Sequence, residues 1–174
     1  MPTDPQLFEL ASRVGQHLLA TNRRMVAAES CTGGWVAKAM TDVPDSSRWF
    51  ECGYVTYANA AKMRDLGVQQ KTLDSHGAVS EETVREMALG ALRVSGAEVS
   101  VAISGIAGPT GGVPGKPVGT VWFAAASQKS AGMQPQTLPH DVVLESRLQH
   151  FPGDREAIRR ASVQYALELI LQMP

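Results

Sequence analysis

The spacing of apolar positions alternates between helical and strand-like along the chain. Leu7, Ala11, Val14 and Leu18 recur at helical spacing behind Asp4 and Pro5. A first helix is therefore expected, with Asp4 as N-cap and Pro5 in its first position. MVAAE (25–29) is a short apolar run of buried-strand type. It leads through residues 30–34 into a second helix with Val36, Ala39 and Met40 on one side. ECGYVTY (51–57) mixes β-branched and aromatic residues and reads as a strand, and 58–66 as a short helical turn. Ser80 is the expected cap of the clearest helix, with Glu81 and Glu82 in its first turn. Val84, Met87, Ala88, Ala91 and Leu92 form its single core-facing stripe.

EVSVAIS (98–104) is another buried strand, followed by the glycine- and proline-rich loop GIAGPTGGVPGKPVG (105–119). TVWFAAAS (120–127) and TLPHDVVLE (137–145) read as two further strands divided by a polar turn. A last helix is expected from about Asp154 to Gln172, with Ile158, Ala161, Tyr165, Leu169 and Ile170 on its apolar face. Strands joined by helices imply parallel neighbours, whereas the final strands lack intervening helices and are expected to pair antiparallel. The predicted fold is α/β: a three-layer α/β/α domain around a mixed, mostly parallel sheet of about five strands. Ligands of such sheets bind beyond the carboxyl ends of the parallel strands. Three segments meet that condition: 30–34, 57–62 and 104–112.

Composition narrows the function classes. A chain of 174 residues is most simply one domain spanning 1–174, with 44% hydrophobic and 19% charged residues. The formal net charge of −1 and the scattered basic residues give no support for nucleic-acid binding. No apolar run reaches membrane-span length, and MPTDPQLFEL lacks a basic-then-apolar signal. Cys31 and Cys52 have no CxxC or metal-ligand spacing, which suits a reducing cytoplasm and gives no ligand cluster for a metal.

The stretch AESCTGG (28–34) holds the first candidate chemistry. Ser30, at a strand-to-helix junction, reads either as an N-cap or as a nucleophile beneath the N–H groups of a helix start. Gly33 and Gly34 are poor helix formers and imply close approach to the backbone. A serine hydroxyl needs a base. None of His17, His76, His140 and His150 falls at the end of a parallel strand, whereas Lys62, in YANAAK, is expected on the same rim. A partly buried lysine has a lowered pKa and can accept a proton; the alternative is a solvated helix lysine. Tyr57 is a candidate proton relay or aromatic platform, or plain strand packing. Cys31 is the rival nucleophile. Ser104, Gly105, Gly108, Gly111 and Gly112 lie in a loop able to cradle an anion, or equally in a plain connection between antiparallel strands. Arg155, Arg159 and Arg160 are candidates to clamp a phosphate or carboxylate.

ESCTGG, GYVTYANAAK, LGV, SHGAVSEE, ISGIAGPTGG, KPVGTVWFA and FPGDREAIR together resemble, in order and spacing, the C-terminal domain of the CinA (competence/damage-inducible) proteins. The resemblance runs from about residue 24 to residue 171 and is weakest over 128–150. It implies the same three-layer fold with a mixed five-stranded sheet. It also implies hydrolysis of the carboxamide of nicotinamide mononucleotide to nicotinate mononucleotide and ammonia, with no cofactor and no metal. By resemblance the nucleophile falls on Ser30, the general base on Lys62 and the motif tyrosine on Tyr57. The glycine-rich binding loop falls on Ser104, Gly105, Gly108, Gly111 and Gly112, and the FxGDR arginine on Arg155. Backbone N–H groups of Cys31, Thr32, Gly33 and Gly34 are the expected oxyanion donors, and Tyr57 or Glu29 the expected neighbour of the pyridinium ring. Longer family members carry a molybdopterin-binding-like N-terminal domain that has no counterpart in these residues, so its activity is expected to be absent. The expected partners are a small nucleotide substrate and, as a homodimer, a second copy of the chain. The alternatives are a non-catalytic nucleotide-binding module and an amidase for another small amide.

Overall fold

The computed structural model describes residues 1–128 and 142–174. Strands β1 (Met25–Glu29), β2 (Phe50–Val55), β3 (Val99–Gly105), β4 (Thr120–Gln128) and β5 (Val142–His150) form one sheet, ordered β2-β1-β3-β4-β5. β1 pairs in parallel with β2 and β3, while β3–β4 and β4–β5 are antiparallel, so β4 alone runs against the other four. The helices are α1 (Asp4–Ala20), α2 (Trp35–Thr41), α3 (Asn59–Leu66), α4 (Gln70–His76), α5 (Glu81–Ser95) and α6 (Arg155–Leu171).

Strand alternation divides the core into two. Met25, Ala27, Val99, Val101, Ile103, Val121 and Phe123 face α1, α2 and α6. Val26, Ala28, Ala102, Ala124 and Ala126 face α3, α4 and α5. A sheet covered on both faces explains why β1, β3 and β4 read as continuous apolar runs and not as alternating ones. The α/β/α layering and the mixed five-stranded sheet are as expected.

Local departures have local causes. Thr3, not Asp4, caps α1: its hydroxyl accepts the Gln6 N–H while the Gln6 side chain accepts the Thr3 N–H, a reciprocal box that Asp4 cannot form. β2 stops at Val55, two residues early, because the Thr56 and Tyr57 carbonyls turn towards Lys62. α4 was not expected; its single buried residue, Leu73, leaves no periodic stripe to read. β5 continues to His150, and residues 137–141 of the expected strand lie outside the described residues. On α6, Ala161 and Tyr165 are only half-buried, and the buried face runs through Ser162, Val163, Ala166 and Leu167. That helix packs on both the sheet and α1, which widens the face it must cover.

Candidate active site

The parallel strands β1, β2 and β3 end on one rim, where antiparallel β4 begins and β5 ends. At the end of β1, the Ser30 N–H donates to the Ile103 carbonyl at 3.0 Å, extending the β1–β3 ladder by one residue. Ser30 therefore belongs to the tail of the strand and does not cap α2. The N-cap of that helix is Gly34, in the left-handed region at φ +92°. Its first N–H groups are satisfied by Glu29: Oε2 accepts from Gly34 (2.9 Å) and Val36 (3.1 Å), and Oε1 from Ala37 (2.9 Å). Two expectations are corrected together. Glu29 is fully buried with both oxygens engaged and does not face a ligand, and its capping role leaves the Ser30 hydroxyl free.

That hydroxyl meets Lys62. The α3 lysine is 1% exposed, and its Nζ lies 3.0 Å from Ser30 Oγ, 2.7 Å from the Thr56 carbonyl and 3.2 Å from the Tyr57 carbonyl. Burial pulls the amine's pKa below the ordinary lysine value. A neutral amine has two N–H bonds and one lone pair. Two carbonyls take the hydrogens, and the lone pair remains for the serine O–H. The geometry thus suits proton acceptance from Ser30.

Cys31 turns the other way, into the core against α1 and α6. Desolvation, ahead of the Glu29 charge, pushes its thiol up to about 12, so it is protonated at neutral pH and is no rival nucleophile. The Thr32 side chain is fully buried, and its hydroxyl has no partner among the described residues. The Gly33 N–H donates to the Ser30 carbonyl at 3.1 Å and the Gly34 N–H to Glu29, so neither is a free oxyanion donor. Among the described residues the Thr32 N–H has no acceptor, and the Cys31 N–H meets only its own thiol.

Tyr57 contributes its carbonyl, not its phenol, to Lys62. The ring is 60% exposed, and the hydroxyl accepts from Arg155 Nη2 at 3.0 Å, which is no proton relay to the amine. Arg155 Nη1 donates to the Gly108 carbonyl at 2.8 Å, bridging the 57–62 segment to the glycine loop. One turn later, Arg159 donates to the Cys31 carbonyl (3.1 Å) and the Thr32 carbonyl (2.7 Å). Arg160 diverges to Asp4 and Glu156 and is lost to the rim.

In the loop between β3 and β4, several glycines sit where a side chain would clash. Ser104 Oγ donates to the Ala78 carbonyl at 2.7 Å, on the α5 side. A Cβ added to Gly105 would lie 2.7 Å from Val121 Cγ2, at Gly108 2.6 Å from Val118 Cγ1, and at Gly112 3.1 Å from the Val118 nitrogen. Gly111 packs by Ile106, and paired bonds between Val113 and Lys116 close the loop. These glycines allow the loop to pack tightly on itself. His17 lies beside Arg23, His76 3.3 Å from Glu82 and His150 beside Thr120, while His140 lies outside the described residues. A cavity of about 500 Å³ is lined by Leu7, Arg13, Gln164 and Glu168 among others, and by none of the rim residues. The site is marked by buried chemistry, not by cavity size.

Sequence reading missed the Thr56 carbonyl, the capping by Glu29 and the grip of Arg159. A carboxylate ending an apolar strand just before two glycines was a signal for the second, and the i,i+4 spacing of Arg155 and Arg159 for the third.

Fold and site define an α/β/α protein with a buried lysine set against a serine at the carboxyl ends of parallel strands. The chain belongs to the CinA C-terminal domain family, whose model matches residues 7–173. It is 50% identical over 170 residues to nicotinamide-nucleotide amidohydrolase PncC of Escherichia coli (strain K12), covering 98% of this chain and 96% of that protein. Its identity to the protein of the same name from Pseudomonas putida is also 50%, covering 98% of each. Among solved structures, the competence/damage inducible protein CihA from Agrobacterium tumefaciens superposes with a TM-score of 0.85 at 38% identity, covering 99% of this chain and 98% of that one.

Proposed function

We propose that the protein hydrolyses the carboxamide of nicotinamide mononucleotide to nicotinate mononucleotide and ammonia, with Ser30 as nucleophile and Lys62 as general base. The observation that carries this is the 3.0 Å approach of Lys62 Nζ to Ser30 Oγ, with two carbonyls occupying the amine's hydrogens. The names of the half-identical relatives supply the substrate. Ser30 Oγ attacks the amide carbon as its proton passes to Lys62. The Cys31 and Thr32 N–H groups receive the oxyanion. Lys62 then protonates the departing nitrogen, and ammonia leaves. Water attacks the acyl-enzyme, giving its proton to Lys62, and Ser30 is reprotonated as nicotinate mononucleotide is released.

The exposed Tyr57 ring offers a face to the pyridinium, and the exposed Arg155 has N–H groups beyond its two protein bonds for the phosphate. The two unpaired cysteines support a reducing, cytoplasmic setting, and the match over 7–173 supports one functional unit. Among the described residues no helix is long and apolar enough to cross a membrane. The test is ammonia release from nicotinamide mononucleotide, nicotinamide and asparagine, with Ser30→Ala and Lys62→Ala as controls. Release from the nucleotide alone, lost in both variants, is expected. Release only from another amide would replace the substrate, and binding without any release would make the protein a non-catalytic module.

A further inference from the structure

A trans peptide points its N–H and C=O in opposite directions, so whatever holds a carbonyl also aims the N–H of the same unit. In the 30–31 unit, the Ser30 carbonyl is held by the Gly33 N–H at 3.1 Å. In the 31–32 unit, the Cys31 carbonyl is held by Arg159 Nε at 3.1 Å, and in the 32–33 unit the Thr32 carbonyl by Arg159 Nη2 at 2.7 Å. One planar guanidinium thus spans two successive carbonyls. The second of them precedes Gly33 (φ +63°), which adds little torsional resistance to a flip of the 32–33 peptide. The fork is itself supported: it lies 5.1 Å over the Trp35 ring, and a Cβ added to Gly33 would sit 3.4 Å from Nη2.

We propose that Arg159 is a positioning residue for the oxyanion site: its grip on the Cys31 and Thr32 carbonyls keeps the Thr32 N–H turned away from α6 and free for the oxyanion formed at Ser30. This rests on the amide-hydrolysis reading above. Arg159 acts only through the backbone and touches no reacting atom. Without it the 31–32 peptide can rotate, setting a carbonyl where a donor belongs and opposing the charge that develops in the transition state. Lysine cannot replace it, since a single ammonium does not match two carbonyls with a rigid fork.

Steady-state kinetics of Arg159→Ala and Arg159→Lys with nicotinamide mononucleotide test this. The expected result in Arg159→Ala is a kcat loss on the order of 10²-fold, the scale of one oxyanion donor. KM should stay within about threefold, and the acid limb of the pH profile, set by Lys62, should not move. Guanidinium ion in solution should recover part of the kcat of Arg159→Ala. A rise in KM at unchanged kcat would make Arg159 a substrate ligand and overturn the proposal, as would unchanged kinetics. Arg159→Lys keeps an aliphatic stem on Trp35, and hydrogen exchange of its Gly33 and Gly34 amides, the bonded N–H groups of the turn, reads the peptide planes without catalysis. Faster exchange confined to residues 31–34 supports the lock, and equal exchange in variant and wild type overturns it. If the wild type releases no ammonia from the nucleotide, the amide-hydrolysis reading falls, and the exchange result still decides whether Arg159 orders the turn.

Discussion

The turn after β1 and the loop after β3 leave the same rim of the sheet, and both are rich in glycine, but they are held in different ways. At 30–34, Glu29, Ser30, Thr32 and Lys62 are all buried, and the Glu29 carboxylate organises three backbone N–H groups. Over 105–119, glycines let the chain fold tightly on Val118 and Val121, and the Ser104 hydroxyl is spent on the Ala78 carbonyl behind the sheet. Burying a lysine without a carboxylate partner is unfavourable and persists where it tunes a proton acceptor. Glycine clustering alone carries no such meaning. A buried amine facing an otherwise unengaged hydroxyl distinguishes the reactive segment.

The sharpest way to break this contrast is to remove the pair. Ser30→Ala and Lys62→Ala should each lower kcat by roughly 10⁴-fold or more, and the double variant should be little worse than either, because the two groups act as a unit. An additive loss in the double variant would mean that they act separately.

The next largest effect is pH. Lys62 must be neutral to accept a proton, and burial lowers its pKa, so kcat/KM should rise about tenfold per pH unit up to a midpoint below the ordinary lysine value of 10.5. The stability sign follows from the same shift. The folded value lies below the unfolded one, so the buried ammonium destabilises while both states are protonated, and this penalty fades as pH rises from the folded value towards 10.5. The stability of Lys62→Met relative to wild type, followed by thermal unfolding, should therefore fall as pH is raised through that window. A relative stability independent of pH would remove the assigned shift.

Glu29→Gln keeps the shape of the side chain but weakens three charge-assisted bonds. Denaturant titration should show a loss of about 1–3 kcal/mol, with reduced turnover, since the same residue frames Ser30. At the small end, Ser104→Ala in the other region should leave kcat within about twofold, because its hydroxyl bonds away from the rim. Tyr57→Phe deletes one exposed bond to Arg155 and should change kcat by less than about threefold. A loss of 10²-fold or more in Tyr57→Phe would reinstate the phenol as a proton relay.

Much of the architecture was legible in the chain. MVAAE is β1 to the residue, the Val84–Met87–Ala88–Ala91–Leu92 stripe of α5 is buried, and Ser80 caps that helix through the Thr83 N–H. Such features follow from spacings of a few residues. α4 escaped because one buried leucine makes no period, and the α1 cap was shifted by a reciprocal bond between Thr3 and Gln6.

The site divides along the same line. By itself the sequence determined the order of the strands and of every helix but α4, the rim to which residues 30–34 and 57–62 are delivered, and the kinds of side chain found there. Only the tertiary structure decided that Glu29 caps α2, that Cys31 enters the core, that the glycine loop packs on itself, and that Arg159 reaches back across more than a hundred residues to the turn. The physical reason is range. Hydrophobic period and capping preference act over a turn or two of chain, whereas the direction in which a buried polar group points is set by whichever distant partner folding brings within hydrogen-bond distance.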